Sequence, residues 1–157
     1  MYPSLLRKSV ALALVGVAAT VVHAQDSAPQ DQPEIRESAG VRYVSGGIGI
    51  DDVRRMKALA PGFNVRLRFA DESNGSSLSD VVIVVLNPKN ERVLRVRTEG
   101  PLLYMNLQPG RYLLAMAYQD SVRQLQITVG RMPQQLTIGF HVEDLDVSWR
   151  HGHDSSR

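Results

Sequence analysis

His151 and His153 stand one residue apart and are followed at once by Asp154, with His141 upstream. Two imidazoles and a carboxylate at this spacing are a donor set for a divalent metal. Against that, the segment is rich in Gly and Ser, and ordering it around an ion costs chain entropy; a solvated tail with adventitious metal affinity is the plain expectation. A second group is basic. Arg66 and Arg68 alternate with Val65, Leu67 and Phe69, and Arg95 and Arg97 alternate in the same way, with Arg92, Arg111 and Arg123 near other apolar runs. If the two strands share a sheet, Arg66, Arg68, Arg95 and Arg97 form a stripe for an anionic glycan, lipid head groups or an acidic protein edge. If not, they are solvated positions that discourage edge aggregation.

Three further stretches resemble sites without matching them. Ser45-Gly46-Gly47-Ile48-Gly49 leads into a helical segment, as a phosphate cradle would. It has neither the G-x-x-x-x-G-K-S/T nor the G-x-G-x-x-G spacing, and Asp51 and Asp52 put negative charge where a phosphate would sit. Asp71-Glu72-Ser73-Asn74-Gly75 resembles a calcium loop, but the glycine is fifth instead of sixth and the closing glutamate is missing. A hairpin loop is expected there. No serine lies in a G-x-S-x-G elbow and no helix-spaced histidine or carboxylate pair is present, so the expectation is a protein that is not an enzyme and needs no cofactor.

The elements that must position these residues begin after an export signal. Arg7 and Lys8, the apolar run 10–22 and Val22-His23-Ala24 have the order of a secretory signal peptide, with cleavage expected after Ala24. The run is too short to span a bilayer, which takes about 20 residues. No stable membrane insertion is therefore expected. The chain has 18 basic and 16 acidic residues, a net +2; removal of Arg7 and Lys8 leaves it near neutral, which argues against nucleic acid as a partner. There is no cysteine, hence no disulfide and no thiolate metal site.

Residues 25–40 are polar and proline-bearing and read as a disordered leader. Val41 to Val44 is a short strand or extended arm. Asp51 then suits a helix N-cap, Val53, Met56, Leu59 and Ala60 share a side, and Pro61-Gly62 ends a helix of about ten residues. From Phe63 the period falls to two. Seven strand candidates follow, from Val65 to Phe140, separated by turn-forming residues at roughly 8–12-residue spacing. Val81 to Leu86, wholly apolar, reads as a central strand. With no helix-length segment between strands, parallel crossovers are not expected. The domain is expected over 41–149, with a disordered tail over 150–157.

Leu107-Gln108-Pro109-Gly110-Arg111-Tyr112-Leu113-Leu114-Ala115-Met116-Ala117 resembles the L-P-P-G-x-Y-x-V-x-A signature of carboxypeptidase-regulatory-like, or transthyretin-like, β-sandwich domains. Asp80 to Val85, the turn Asn87-Pro88-Lys89-Asn90 and Val93-Leu94 are similar to that family's A-x-V-x-V-x-D-x-x-G segment, with Asn90 where glycine is usual. The span from Tyr43 to Phe140 also resembles small exported proteobacterial proteins of this type. The resemblance implies a fold and no peptidase activity. In the signature, Pro-Gly makes a turn and the tyrosine starts an inward series that continues with Leu114 and Met116.

These readings converge on an all-β chain, a seven-stranded antiparallel β-sandwich of transthyretin-like or Ig-like type with one short N-terminal helix. The expected role is a non-catalytic binding or structural module of the bacterial envelope, periplasmic or secreted, monomeric or weakly associating, whose partner is another envelope protein. The alternatives are a periplasmic carrier or sensor of a metal or anionic ligand, using the histidine tail or the arginines, and an enzyme accessory subunit.

Overall fold

The glycine stretch is where strand gives way to helix. In the computed structural model, which describes residues 33–142, β2 (Val41–Gly46) ends at Gly46 and α1 (Gly49–Leu59) begins three residues later. Gly47 and Gly49 sit at φ 97° and 78°, in the left-handed region where a Cβ is strained. The N-cap position is Ile48, not Asp51 as its type predicts, and no side chain caps the first turn from there. Asp52 acts instead. Its carboxylate Oδ2 accepts from the backbone N–H of Gly47 and of Ile48, the latter at 3.0 Å, so it reaches back from the first turn and ties the loop to the helix. One turn of 3-10 helix over Ala60–Gly62 then ends the segment.

Nine strands are present among the described residues, two more than the seven candidates. The additional pair is β1 (Arg36–Ser38) and β2, joined in register by Ala39-Gly40. Both turn residues have positive φ, 48° and 78°, the requirement of a type I′ hairpin. This corrects the leader expected to run to Gly40: residues 36–38 are a strand. An alanine in the left-handed region is costly, roughly 1–2 kcal/mol, and so gives no turn signal in the sequence. The earlier part of the expected leader, the expected export signal, the end of the expected domain over 143–149 and the expected tail over 150–157 lie outside the described residues.

The remaining strands are β3 (Val65–Asp71), β4 (Val82–Leu86), β5 (Arg92–Arg97), β6 (Leu102–Met105), β7 (Gly110–Tyr118), β8 (Ser121–Val129) and β9 (Gln134–Phe140). They form a five-stranded sheet in the order β1-β2-β6-β3-β9 and a four-stranded sheet in the order β5-β4-β7-β8. Among the described residues all strand pairings are antiparallel but one: β3 and β9 run parallel over seven residue pairs, from Val65 beside Gln134 to Asp71 beside Phe140. The exclusion of parallel pairing is therefore corrected. A crossover helix is needed only between parallel neighbours that follow each other closely, whereas here β4 to β8, the rest of the sandwich, make the connection.

Alternation places the core between the sheets. Val65, Leu67, Phe69, Leu103, Met105, Ile138 and Phe140 face Ile83, Val85, Leu94, Leu114, Met116, Ile127 and Val129, all buried. β4 is flanked by β5 and β7, as a central strand must be. Tyr112 packs on this core ahead of Leu114 and Met116, and its hydroxyl donates to the Gln108 carbonyl at 3.0 Å, closing the Pro109-Gly110 turn. Asn90, at φ 63°, takes the left-handed position of the β4–β5 turn. A second, smaller core lies on the outer side of the five-stranded sheet, where α1 packs Met56 against Val44, Phe63 and Tyr104. An 11-residue helix is marginal alone and gains its stability from this contact. Among the described residues no helix is long and apolar enough to cross a membrane.

Candidate functional site

Because α1 covers only part of the outer face of the five-stranded sheet, a cleft is left between the helix and β3. Strand register fixes its floor. Val44, Tyr104, Arg66 and Gln135 lie in one row across β2, β6, β3 and β9; Gly46, Leu102, Arg68 and Thr137 form the next. The helix sits over Val44 and Tyr104, and the arginines mark where cover ends. Val53, Lys57 and Ala60 make the helical wall, and Gly47, Pro101 and Ser77 close the ends around a volume of about 420 Å³.

Lys57, Arg66 and Arg68 give this cleft a positive lining. Arg66 Nε donates to the Phe63 carbonyl at 3.2 Å, and Arg68 Nη2 to the Gly75 carbonyl at 3.4 Å. Each guanidinium is thus oriented by a neutral acceptor and keeps further N–H groups for a ligand. Among the described residues no carboxylate lies within ion-pair distance of these three cations. Burial raises the Tyr104 phenol above its ordinary pKa, and the nearby Arg66 charge opposes that rise. The phenol therefore stays protonated at neutral pH.

The condition for one stripe of four arginines, that their two strands share a sheet, is not met. Arg66 and Arg68 are on β3, whereas Arg95 and Arg97 are on β5 in the other sheet, exposed on the opposite outer side of the sandwich. Identical alternation in two strands says nothing about which sheet each joins. Arg97 and Arg95 lie beside Val82 and Val84 of β4, where their aliphatic stems can cover half-buried valines. Arg123 pairs with Glu72 at 2.5 Å. The sequence reading missed Lys57, Tyr104 and Gln135 as companions of Arg66 and Arg68. Lys57 carries a faint signal in being four residues after Val53 on the helix, but only the packing of the helix beside the sheet brings this side to Arg66 and Arg68.

The glycine loop is not a free phosphate cradle. The anion resting on its amides is the protein's own Asp52 carboxylate, and a Cβ at Gly46 would come within 2.9 Å of Asp52 Oδ2. The Asp71 loop is likewise closed on itself. Asp71 accepts from the Ser73 amide and hydroxyl, each at 2.8 Å, and from Asn74 Nδ2 at 3.2 Å. No metal-binding group of His, Asp and Glu residues occurs among the described residues; His151, His153 and Asp154 lie outside them.

The Ser73 amide, then its hydroxyl, hold the Asp71 carboxyl below the usual aspartate range, with partial burial opposing and His141 and Asn74 assisting. A depressed native pKa means the unfolded chain binds more protons across the interval between the two values. The stability Asp71 contributes is complete above about pH 4, the ordinary aspartate value, and is lost as pH falls through the lower native one. The urea midpoints of the wild type and Asp71→Asn should thus differ at pH 6 and converge on acidification below about pH 4. A gap constant with pH would contradict the assignment.

Sheet edges are the other candidate surface. β1 is only three residues long, and β5 presents Arg92, Arg95 and Arg97. Short length and outward charge both protect an edge against added strands. β8 has neither protection. Its nine residues pair with β7 without a register shift, and its outward positions are Val122, Gln124, Gln126 and Thr128, whereas Arg123 has the opposite parity and is tied to Glu72. The two-residue turn Gln119-Asp120, with Gln119 at φ 49°, makes Tyr118 and Ser121 the first bonded pair of the hairpin. Every second residue from Val122 then turns its N–H and C=O away from β7. Consistently, the Thr128 carbonyl accepts from the Gln134 side chain, while those of Val122, Gln124 and Gln126 have no partner among the described residues.

No protein-family model matches this chain, and no curated protein matches it. Among solved structures it is similar to the Bacillus anthracis TIE protein, with 11% identity and a TM-score of 0.42 over 49% of this chain and 16% of that one. It is also similar to BcpA*(D312A), the major pilin subunit of Bacillus cereus, with 13% identity and a TM-score of 0.37 over 49% of this chain and 28% of that one. The match thus spans less than a third of either protein.

Proposed function

We propose that this protein is a non-catalytic, exported binding module of the bacterial envelope, of carboxypeptidase-regulatory-like type, that takes up an extended segment of another envelope protein as an added strand on β8. The observation that carries this reading is the β8 edge: nine residues, unbroken register, and outward backbone groups at Val122, Gln124 and Gln126 that no other strand among the described residues uses. An extended peptide gains main-chain bonds there, and its alternate side chains are read by the surface beside the edge. That surface is formed by Val82, Val84, Leu113 and Ala115 of β4 and β7, half-buried on the outer face, with Val122 exposed at 70%. The export signal over residues 1–24 supports a periplasmic or secreted location.

Proline separates the edge from the rest of the fold. It is tolerated on an edge strand where the N–H points to solvent, so Gln124→Pro should leave the fold intact while removing the central donor of the added strand. A photo-crosslinker at position 126 in intact cells should give one adduct that Gln124→Pro abolishes and Arg95→Gln leaves unchanged. Amide exchange at Val122 and Gln126 should slow when that partner is added. Adducts indifferent to the proline, or none at all, would defeat the proposal.

A further inference from the structure

The tip of α1 exposes what a water-soluble surface ordinarily conceals. Ile48 and Ile50, one residue apart on either side of Gly49, are 64% and 81% exposed. Their loop is not slack: Asp52 holds the Gly47 and Ile48 amides, so two branched apolar side chains are presented from a fixed turn. Ile50 is followed on the same side of the helix by Val53, Arg54 and Lys57, which together line a shallow hollow. Val53 and Lys57 are also the helical wall of the arginine cleft. The apolar tip and the cleft of Lys57, Arg66 and Arg68 are therefore one continuous surface. The acidic groups nearest the tip are occupied, Asp51 by Arg54 at 3.1 Å and Asp52 by the loop amides.

We propose that this surface docks peripherally on an anionic phospholipid bilayer, with Ile48 and Ile50 entering the interface and a lipid phosphate held in the cleft by Lys57, Arg66 and Arg68. Charge complementarity and exposed apolar anchors are the two signals that together give stable but reversible interfacial binding. Guanidinium forks match phosphate oxygens in pairs, and Tyr104 and Gln135 stand in the same row as Arg66 to bond the remainder of a head group. The apolar part of the lipid stays in the bilayer, which explains why an open cleft of about 420 Å³ suffices. The inference is independent of the β8 edge, which belongs to the other sheet.

Flotation of the purified protein with vesicles of phosphatidylglycerol mixed into phosphatidylcholine, and with phosphatidylcholine alone, tests it. Binding is expected only to the anionic vesicles. Each basic residue near the surface is worth about fivefold in partitioning, so Arg66→Gln with Arg68→Gln should lower it on the order of twentyfold. Ile48→Ser with Ile50→Ser should lower it at least as much without moving the thermal midpoint, since both side chains are already exposed. Arg95→Gln with Arg97→Gln, on the far sheet, should leave it unchanged. The proposal is overturned if binding is equal on both vesicles, if the far-sheet pair matters as much as the near one, or if neither near pair matters. It is also overturned if glycerol 1-phosphate binds the cleft in solution while vesicles do not, since the source of phosphate would then be a free solute. The β8 variant Gln124→Pro should float like the wild type, so failure of one surface is read separately from failure of the other.

Discussion

Phe69→Ala is expected to lower the stability of the protein by about 3–5 kcal/mol, the usual cost of deleting a buried phenylalanine. Phe69 is fully buried on β3, beside Ile138 of β9 and within the core between the two sheets. Its backbone is held on both sides, donating to the Pro101 carbonyl at 2.8 Å and accepting from the Leu78 amide at 3.1 Å. The walls therefore have little freedom to collapse into the space left behind, and the cavity cost is retained in addition to the lost burial. A domain of this size is stable by about 5–15 kcal/mol, so the change removes a large share. Urea unfolding followed by tryptophan-independent far-ultraviolet signal should show a lower midpoint with an unchanged slope. Val122→Ala, at a 70% exposed position of β8, should stay within about 0.5 kcal/mol of the wild type. Equal midpoints for the two variants would mean that Phe69 does not occupy the core.

The second large effect is expected at Gly100, where the obstacle is backbone. A Cβ built there would lie 2.3 Å from the Gly46 carbonyl oxygen and 2.5 Å from its carbon. Nothing flexible can move aside. Ser45 tightens the approach, its hydroxyl accepting from the Glu99 amide at 2.9 Å and donating to the Leu102 carbonyl at 3.2 Å. Gly100→Ala must push the β5–β6 connection off the end of β2 and stretch those bonds, a loss of about 3 kcal/mol, at the upper end for overpacking. Two other glycines calibrate the result. Gly139 would meet only the Glu72 side chain, at 2.3 Å from Cγ, and that chain can swing away at the expense of its exposed pair with Arg123; such a pair is worth about 1 kcal/mol or less. Gly130 has nothing within 4 Å. The expected order of destabilisation is Gly100 well above Gly139, and Gly139 above Gly130. Stability of Gly100→Ala equal to that of Gly130→Ala would refute the close approach of β2 and the β5–β6 connection.

Much of the fold is legible in one dimension because alternation and turn chemistry are local. Val65 to Phe69 must bury every second side chain wherever the strand lies, and Pro109-Gly110 turns the chain whatever follows. The short helix, the inward series Tyr112, Leu114 and Met116, and the left-handed Asn90 are of this kind. Local rules failed where the chain violates its own propensities, as at Ala39, whose positive φ conceals the β1–β2 hairpin.

The sequence by itself determined that the chain is all-β with a helix before it, which side chains point inward, and that Arg66 and Arg68 point out together. Only the tertiary structure decided that β3 lies parallel to β9, that Arg95 and Arg97 belong to the opposite face, and that Lys57 and Tyr104 join Arg66 in one cleft. The physical reason is the range of the forces involved. Period and turn preference act over a few bonds and are written in neighbouring residues, whereas strand order is set by how two whole sheets bury their apolar faces against each other and the helix, a condition that no short segment contains.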